Sequence, residues 1–167
     1  RQADGVMRNK LRDQDWLTTV VEQEADLSTA RVTGVMIDYL EPGDSTAIIE
    51  QLADPAIRIV SLTITEGGYY IDPASQKFDP THPDIVHDAG NIDNPKTVFG
   101  LILAGLLRRM ERGLAPFTVM SCDNIPGNGH VTQNAVMGLA NLVEGLPKIE
   151  WDAIAFPNGM VDRITPA

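Results

Sequence analysis

Three apolar runs along the chain each open into small polar residues, and the other elements arrange themselves between them. Ile57–Thr65 is rich in β-branched residues and leads into Glu66-Gly67-Gly68-Tyr69. Phe117–Met120 is a short run of large apolar and β-branched residues, as in strands covered on both faces. It ends in Ser121-Cys122-Asp123-Asn124, and Pro126, Gly127 and Gly129 then break regular structure. Ala153–Phe156 is shorter and runs into Pro157-Asn158-Gly159. All three read as strands.

Helical periodicity fills the intervals. Pro95–Arg112 carries Val98, Ile102, Leu106 and Met110 on one stripe, with Thr97 as its cap and Gly113 as its stop. Arg108, Arg109 and Arg112 suit the negative end of that helix. Residues 128–144 carry Val131, Ala135, Leu139 and Val143 in the same way. Asp4–Asp15 predicts an amphipathic helix with Val6, Met7 and Leu11 on one face. Asp44 or Ser45 caps a short helix bearing Ile48, Ile49 and Leu52, which Asp54-Pro55 ends. Trp16–Glu22 and Ala30–Leu40 alternate as strands do and predict an antiparallel hairpin across the polar stretch 24–29. Tyr69–Asn94 is rich in Asp and Pro and has little periodicity, so a long irregular insert is expected there, of the kind that covers a site. Strands alternating with helices of this length predict βαβ units and a mostly parallel sheet with flanking helices, an α/β fold.

In such a sheet, ligands bind in the crevice outside the carboxyl ends of the strands. Three strand ends side by side, each delivering carboxylates, amides or glycines, therefore predict one small-molecule site. The individual residues leave alternatives open. Asn124 and Asn158 either hold a carboxamide or polarise a carbonyl, or cap their loops. Glu66 is either a proton relay or a solvated carboxylate. Asp123 either binds a ribose or polyol hydroxyl or caps the next turn. Cys122 lacks an obvious base and reads as an inert thiol rather than a nucleophile. His82, Asp84, His87 and Asp88 do not have metal-ligand spacing, and no cysteine joins them, so no metal site is expected. Asp162 and Arg163 either pair locally or meet an anionic ligand. Trp16 and Trp151 read as core or interface aromatics.

Composition narrows the classes. At 167 residues the length suits one domain with a real core. Asp plus Glu number 23 against 13 Lys plus Arg, a formal charge of −10. With no basic stripe, that argues against a nucleic-acid partner. No apolar run approaches the roughly 20 residues that cross a bilayer, and the charged, helix-like Arg1–Asp15 is not expected to be a signal peptide, so no membrane partner is expected. The single cysteine permits no internal disulfide, which fits a reducing, cytoplasmic compartment. No Gly-x-Gly-x-x-Gly opens a βαβ unit: Gly127-Asn128-Gly129 lacks the third glycine and the later acid.

Several stretches together resemble one family. They are Ser61-Leu-Thr-Ile-Thr-Glu-Gly-Gly-Tyr69, Pro95-Lys-Thr-Val-Phe-Gly100, Phe117 to Gly129, and Phe156-Pro-Asn-Gly-Met-Val-Asp-Arg-Ile-Thr-Pro166. Arg31-Val-Thr-Gly34 and Asp79-Pro-Thr-His-Pro83 are familial too. The family is that of the polyol-specific long-chain dehydrogenases, which includes mannitol 2-dehydrogenase and fructuronate reductase. The resemblance covers essentially the whole chain. It implies a Rossmann-type domain, NAD or NADP as cofactor, and interconversion of a sugar alcohol and a ketose. By the same resemblance, Asn158 and Glu66 are catalytic: Asn158 holds and polarises the reacting oxygen, and Glu66 lies near the proton path. Thr65, Gly67, Cys122, Asp123 and Asn124 line the nicotinamide end of the cofactor.

The family's glycine-rich phosphate loop is expected upstream of Arg1, and its catalytic Lys in a helical domain beyond Ala167. The chain is thus expected to be a partial, interior piece of the cofactor domain, inactive alone. Two rival readings remain at this level: a uronate reductase of the same family, and a non-catalytic α/β binding or assembly module.

Overall fold

The computed structural model describes residues 6–72, 75 and 77–160, and the chain divides into two units, 1–44 and 45–167. The expected Val161, Asp162 and Arg163 loop lies outside the described residues.

In the first unit, helix α1 (Val6–Arg12) turns its only buried side chain, Leu11, inward. Strands β1 (Thr18–Gln23) and β2 (Ser28–Thr33) form the predicted antiparallel hairpin, with Thr18 opposite Thr33. Their hydroxyls hydrogen-bond at 2.6 Å across that pair, and the Glu24 N–H closes the turn on the Leu27 carbonyl. The second strand stops at Thr33 rather than at Leu40. Its partner begins only at Thr18, and Asp15 and Trp16 have positive φ as the chain leaves α1. Residues beyond Thr33 therefore have no ladder to join.

The second unit builds the sheet. Helix α2 (Ser45–Leu52) leads to β3 (Ile59–Leu62), which pairs in parallel with β4 (Thr118–Ser121), Leu62 opposite Ser121. Between the two strands run α3 (Pro83–Gly90) and α4 (Val98–Glu111), and α5 (Asn128–Ala140) follows β4. Phe99, Ile102, Leu103 and Leu106 of α4 meet Phe117, Val119, Val136 and Leu139 in one buried core. The buried face of α4 is wider than the predicted stripe, and Met110 falls outside it. The helix packs on both α2 and α5, and at Gly105 an added Cβ would stand 2.8 Å from Leu52 Cβ. Thr97 caps α4 as predicted, its Oγ1 accepting from the Gly100 N–H at 2.9 Å, and Gly113 stops the helix with φ 64°.

Two expectations change. The 69–94 insert is not irregular throughout, because α3 lies within it. His82 caps that helix through Nδ1 and Pro83 occupies its first turn, where a missing N–H costs nothing. Its Asp88 is fully buried and accepts from the Lys96 N–H and from both the N–H and the hydroxyl of Thr97, bracing the start of α4. The third strand is also absent. Trp151–Ala153 forms a 3-10 turn, and the extended segment after it touches β4 through one bond, from the Val119 N–H to the Ala155 carbonyl. With that one bond the segment lies beside β4 without forming a ladder. Among the described residues, no helix is long and apolar enough to cross a membrane.

Candidate functional site

The carboxyl ends of β3 and β4 lie side by side, and three chain segments meet there. The Cys122 N–H extends the ladder by donating to the Leu62 carbonyl at 2.8 Å. One residue later, the Asp123 carboxylate turns back across the sheet. Its Oδ2 accepts from the Ile64 N–H at 3.0 Å and its Oδ1 from the Thr65 N–H at 3.0 Å. The Tyr69 hydroxyl donates to Oδ2 at 2.7 Å and shares a 2.6 Å hydrogen bond with Ser121 Oγ. Burial opposes charge on Asp123, but the Ile64 N–H, the Tyr69 hydroxyl and the Thr65 N–H outweigh it and hold the carboxyl below its usual range. Burial above all pushes the Tyr69 phenol up to about 12.

This latch encloses a strained loop. Thr65 has φ 62° and ψ 165°, a region that is almost exclusively glycine's and that a β-branched residue occupies at a cost of about 1–3 kcal/mol. Glu66–Tyr69 then forms a 3-10 turn, and Tyr70 leaves it in the left-handed region at φ 51°. Strained backbone of this kind persists only where its surroundings over-determine it, and such places cluster at functional sites. On the outer side, Thr65, Glu66 and Gly67 are exposed. The Glu66 side chain makes no hydrogen bond or ion pair to a described residue, and a Cβ on Gly67 would meet nothing within 4 Å.

The third segment is fastened by two asparagines. Asn128 is buried and donates through Nδ2 to the carbonyls of Ser121, Asp123 and Gly159, while its Oδ1 accepts from the Gly159 N–H at 3.0 Å. Asn158 caps α5 from outside the helix, its Oδ1 accepting from the N–H groups of Gly129 (2.9 Å) and His130 (3.3 Å). Its Nδ2 lies 3.0 Å from His130 Nδ1. Gly129 makes this closeness possible, since a Cβ there would stand 2.4 Å from the Phe156 carbonyl oxygen.

The structure thus brings the predicted residues together but divides their work. Thr65, Glu66, Gly67 and Asn124 are exposed along the strand ends, and no described residue hydrogen-bonds the Asn124 amide. Cys122 is half-buried, its thiol 4.0 Å from the Met120 carbonyl, with no described base in hydrogen-bond reach. The Asp123 carboxylate and the Asn158 amide oxygen are taken by N–H groups of the protein, although Asn158 itself is exposed. Asp88 and His82 of the histidine–aspartate cluster are likewise spent on helix ends, and no described group of three His, Cys, Asp or Glu is placed to hold a metal ion. Tyr69 and Asn128 carry no assigned role in the sequence reading, and Ser121 only a place at the strand end. Tyr69, immediately after the strand-end glycines, was the one visible signal.

Adjacent parallel strands presenting glycine, hydroxyl, carboxylate and amide groups at their carboxyl ends define a ligand-binding α/β half-site. Residues 2–167 match the mannitol dehydrogenase Rossmann domain. The chain is 56% identical over 172 residues to mannitol 2-dehydrogenase of Cereibacter sphaeroides, an alignment covering 100% of this chain and 35% of that protein. It is 46% identical to the Pyricularia oryzae mannitol 2-dehydrogenase, covering 98% of this chain and 34% of the relative. Among solved structures, Pseudomonas fluorescens mannitol 2-dehydrogenase in ternary complex with NAD and D-mannitol superposes with a TM-score of 0.87 at 46% identity, covering 99% of this chain and 34% of that one. A substrate-free D-sorbitol dehydrogenase superposes with a TM-score of 0.86 at 41% identity, covering 100% and 36%. The chain belongs to the mannitol dehydrogenase family and corresponds to its Rossmann domain. It spans about a third of the length of the curated relatives it matches.

Proposed function

We propose that the chain forms the cofactor-binding part of a longer NAD(P)-dependent oxidoreductase that interconverts a sugar alcohol and a ketose, with mannitol and fructose as the substrate type. The observation that carries this reading is the exposed row of Thr65, Glu66, Gly67 and Asn124 on two hydrogen-bonded parallel strands, fastened from behind by Asp123, Asn128 and Asn158. The residues present fit a nicotinamide nucleotide: the face beside Gly67 is open, and the groups around it are neutral or donor-bearing apart from Glu66 and Asp123, whose carboxylate oxygens are taken by protein donors. Thr65, Gly67, Cys122 and Asn124 would hold its nicotinamide end. A bound nucleotide supplies the hydride acceptor or donor.

The chain's own residues orient and exchange protons. Asn124, exposed and without an amide partner among the described residues, offers its amide to a ligand. Asn158 gives one Nδ2 hydrogen to His130 and keeps the second for a reacting oxygen, where a donor stabilises developing charge. Glu66, without a partner among the described residues, exchanges a proton with solvent.

The test is a screen of the full-length enzyme with mannitol and sorbitol plus NAD or NADP, and with fructose and fructuronate plus the reduced nucleotides. Turnover of a polyol and its ketose is the expected result. Reduction of the uronate alone would make it a uronate reductase, and no turnover of any pair by folded enzyme would refute the reading.

A further inference from the structure

We propose that Asp123 and Tyr69 are positioning residues, which hold Thr65-Glu66-Gly67 in a conformation the backbone would not otherwise keep and so set the affinity of the crevice for its nucleotide. The identity of the ligand rests on the function proposed above; the latch itself rests on the geometry alone.

Thr65 occupies a glycine region of backbone space, and within the loop its carbonyl accepts from the Gly68 N–H at 3.0 Å. Among the described residues nothing holds its outer side, where Glu66 is unpaired and Gly67 faces open space. The restraint comes from behind. Asp123 takes the two consecutive N–H groups that lead into the strained residue. Tyr69 closes the far end of the loop: its ring is fully buried with its centroid 5.7 Å from that of Phe99, and its hydroxyl reaches both Asp123 and Ser121. Both oxygens of Asp123 are therefore occupied by the protein, which separates it from its exposed neighbour Asn124. A loop ordered before the ligand arrives spares binding that ordering cost.

The test uses the full-length enzyme, with NADH affinity read by fluorescence titration in Asp123→Asn, Thr65→Gly and the double variant. The amide keeps the carboxylate's shape but turns an N–H toward groups that are themselves donors. With Thr65 in place, Asp123→Asn weakens binding about ten- to a hundredfold, the range for losing hydrogen bonds to a charged group. Glycine adopts the required backbone freely, so with Thr65→Gly in place the same change costs less than about threefold, a departure from additivity that marks coupled sites. Equal losses in the two backgrounds mean that the carboxylate touches the nucleotide itself, and overturn the proposal. Unchanged affinity in Asp123→Asn also overturns it.

Should Asp123→Asn not fold, Tyr69→Phe replaces it, keeping the buried ring and removing only the hydroxyl. A loss that shrinks with Thr65→Gly supports the latch, and wild-type affinity or an unshrunk loss refutes it. Hydrogen exchange separates this proposal from the functional reading. Faster exchange of the amides of residues 64–67 in Asp123→Asn supports the latch whatever the enzyme binds, and unchanged rates remove it. Wild-type enzyme with no affinity for NADH or NADPH sinks the functional reading alone.

Discussion

Gly129→Ala sets two effects of known size against each other. Gly129 lies in the first turn of α5, and in a free helix alanine is favoured over glycine by about 1 kcal/mol. The structure opposes that gain. The new methyl would lie 2.4 Å from the Phe156 oxygen, 2.5 Å from the Pro157 oxygen and 2.6 Å from the Pro157 carbonyl carbon. These are backbone atoms, so no rotamer change relieves them and the 156–158 segment must move. Overpacking of this kind costs about 1–3 kcal/mol. Moving the segment also pulls Asn158 from the helix N–H groups it caps, a further loss of about 1 kcal/mol. The pair of bonds between Asn128 and Gly159 adds about 1 kcal/mol each. The net is a destabilisation of about 3–5 kcal/mol, several times the helical gain. The assay is equilibrium denaturation of the full-length enzyme followed by circular dichroism. Gly90→Ala, where nothing lies within 4 Å of the added Cβ, is the control and should be neutral or mildly stabilising. A Gly129→Ala enzyme as stable as the control would refute the reasoning, because the close approach of the 156–158 segment would then not be real.

Three further outcomes follow from particular contacts. Arg109→Met leaves the carbonyls of Leu52, Asp54, Ile57 and Ala115 without their buried donor and should cost about 2–4 kcal/mol in the same denaturation experiment. Glu66→Gln should lower kcat of the full-length enzyme about a hundredfold, the low end for a general acid or base, while leaving its melting temperature unchanged, because the side chain has no partner among the described residues. The latch should also print itself on the pH dependence of stability. The folded state holds Asp123 below its ordinary value of 3.8, so its contribution is present above pH 3.8 and is lost as pH falls through the lower folded value. It raises Tyr69 from 10.0 to about 12, so that contribution is intact below pH 10 and fades as pH rises to about 12. Denaturation midpoints across pH should lose the acid limb in Asp123→Asn and the alkaline limb in Tyr69→Phe.

Much of this was written locally, and where it was, the sequence was readable. Thr97 and Gly113 bounded α4 because caps and stops act within one turn, and the hairpin and the two parallel strands followed from periodicity. The α3 helix escaped because Asp and Pro, read as loop formers, here serve as its opening turn. The third strand failed because its first residue is taken into the 3-10 turn Trp151–Ala153, and the rest meets β4 through the Ala155 carbonyl. Within the site, positions were legible and tasks were not. Nothing around Asp123 says that its donors lie 58 and 59 residues earlier, at Thr65 and Ile64. Nothing around Asn158 says that it will cap a helix beginning thirty positions before it. Such pairings exist only once the sheet has brought its strand ends together.

Arg109 joins connections that stand far apart along the chain. Its guanidinium faces carbonyls from the last turn of α2, from the link to β3 and from the approach to β4, with the Phe117 ring 5.5 Å beneath it. No carboxylate among the described residues balances its charge. The cation is therefore tolerated only while all of those dipoles remain turned toward it. If one connection peels away, the same charge weighs more heavily on those that remain, so α2, the end of α4 and the first residues of β4 open as one cooperative block rather than fraying singly. Arg109 thereby acts as a non-covalent cross-link at the amino ends of β3 and β4, the edge of the sheet opposite the crevice.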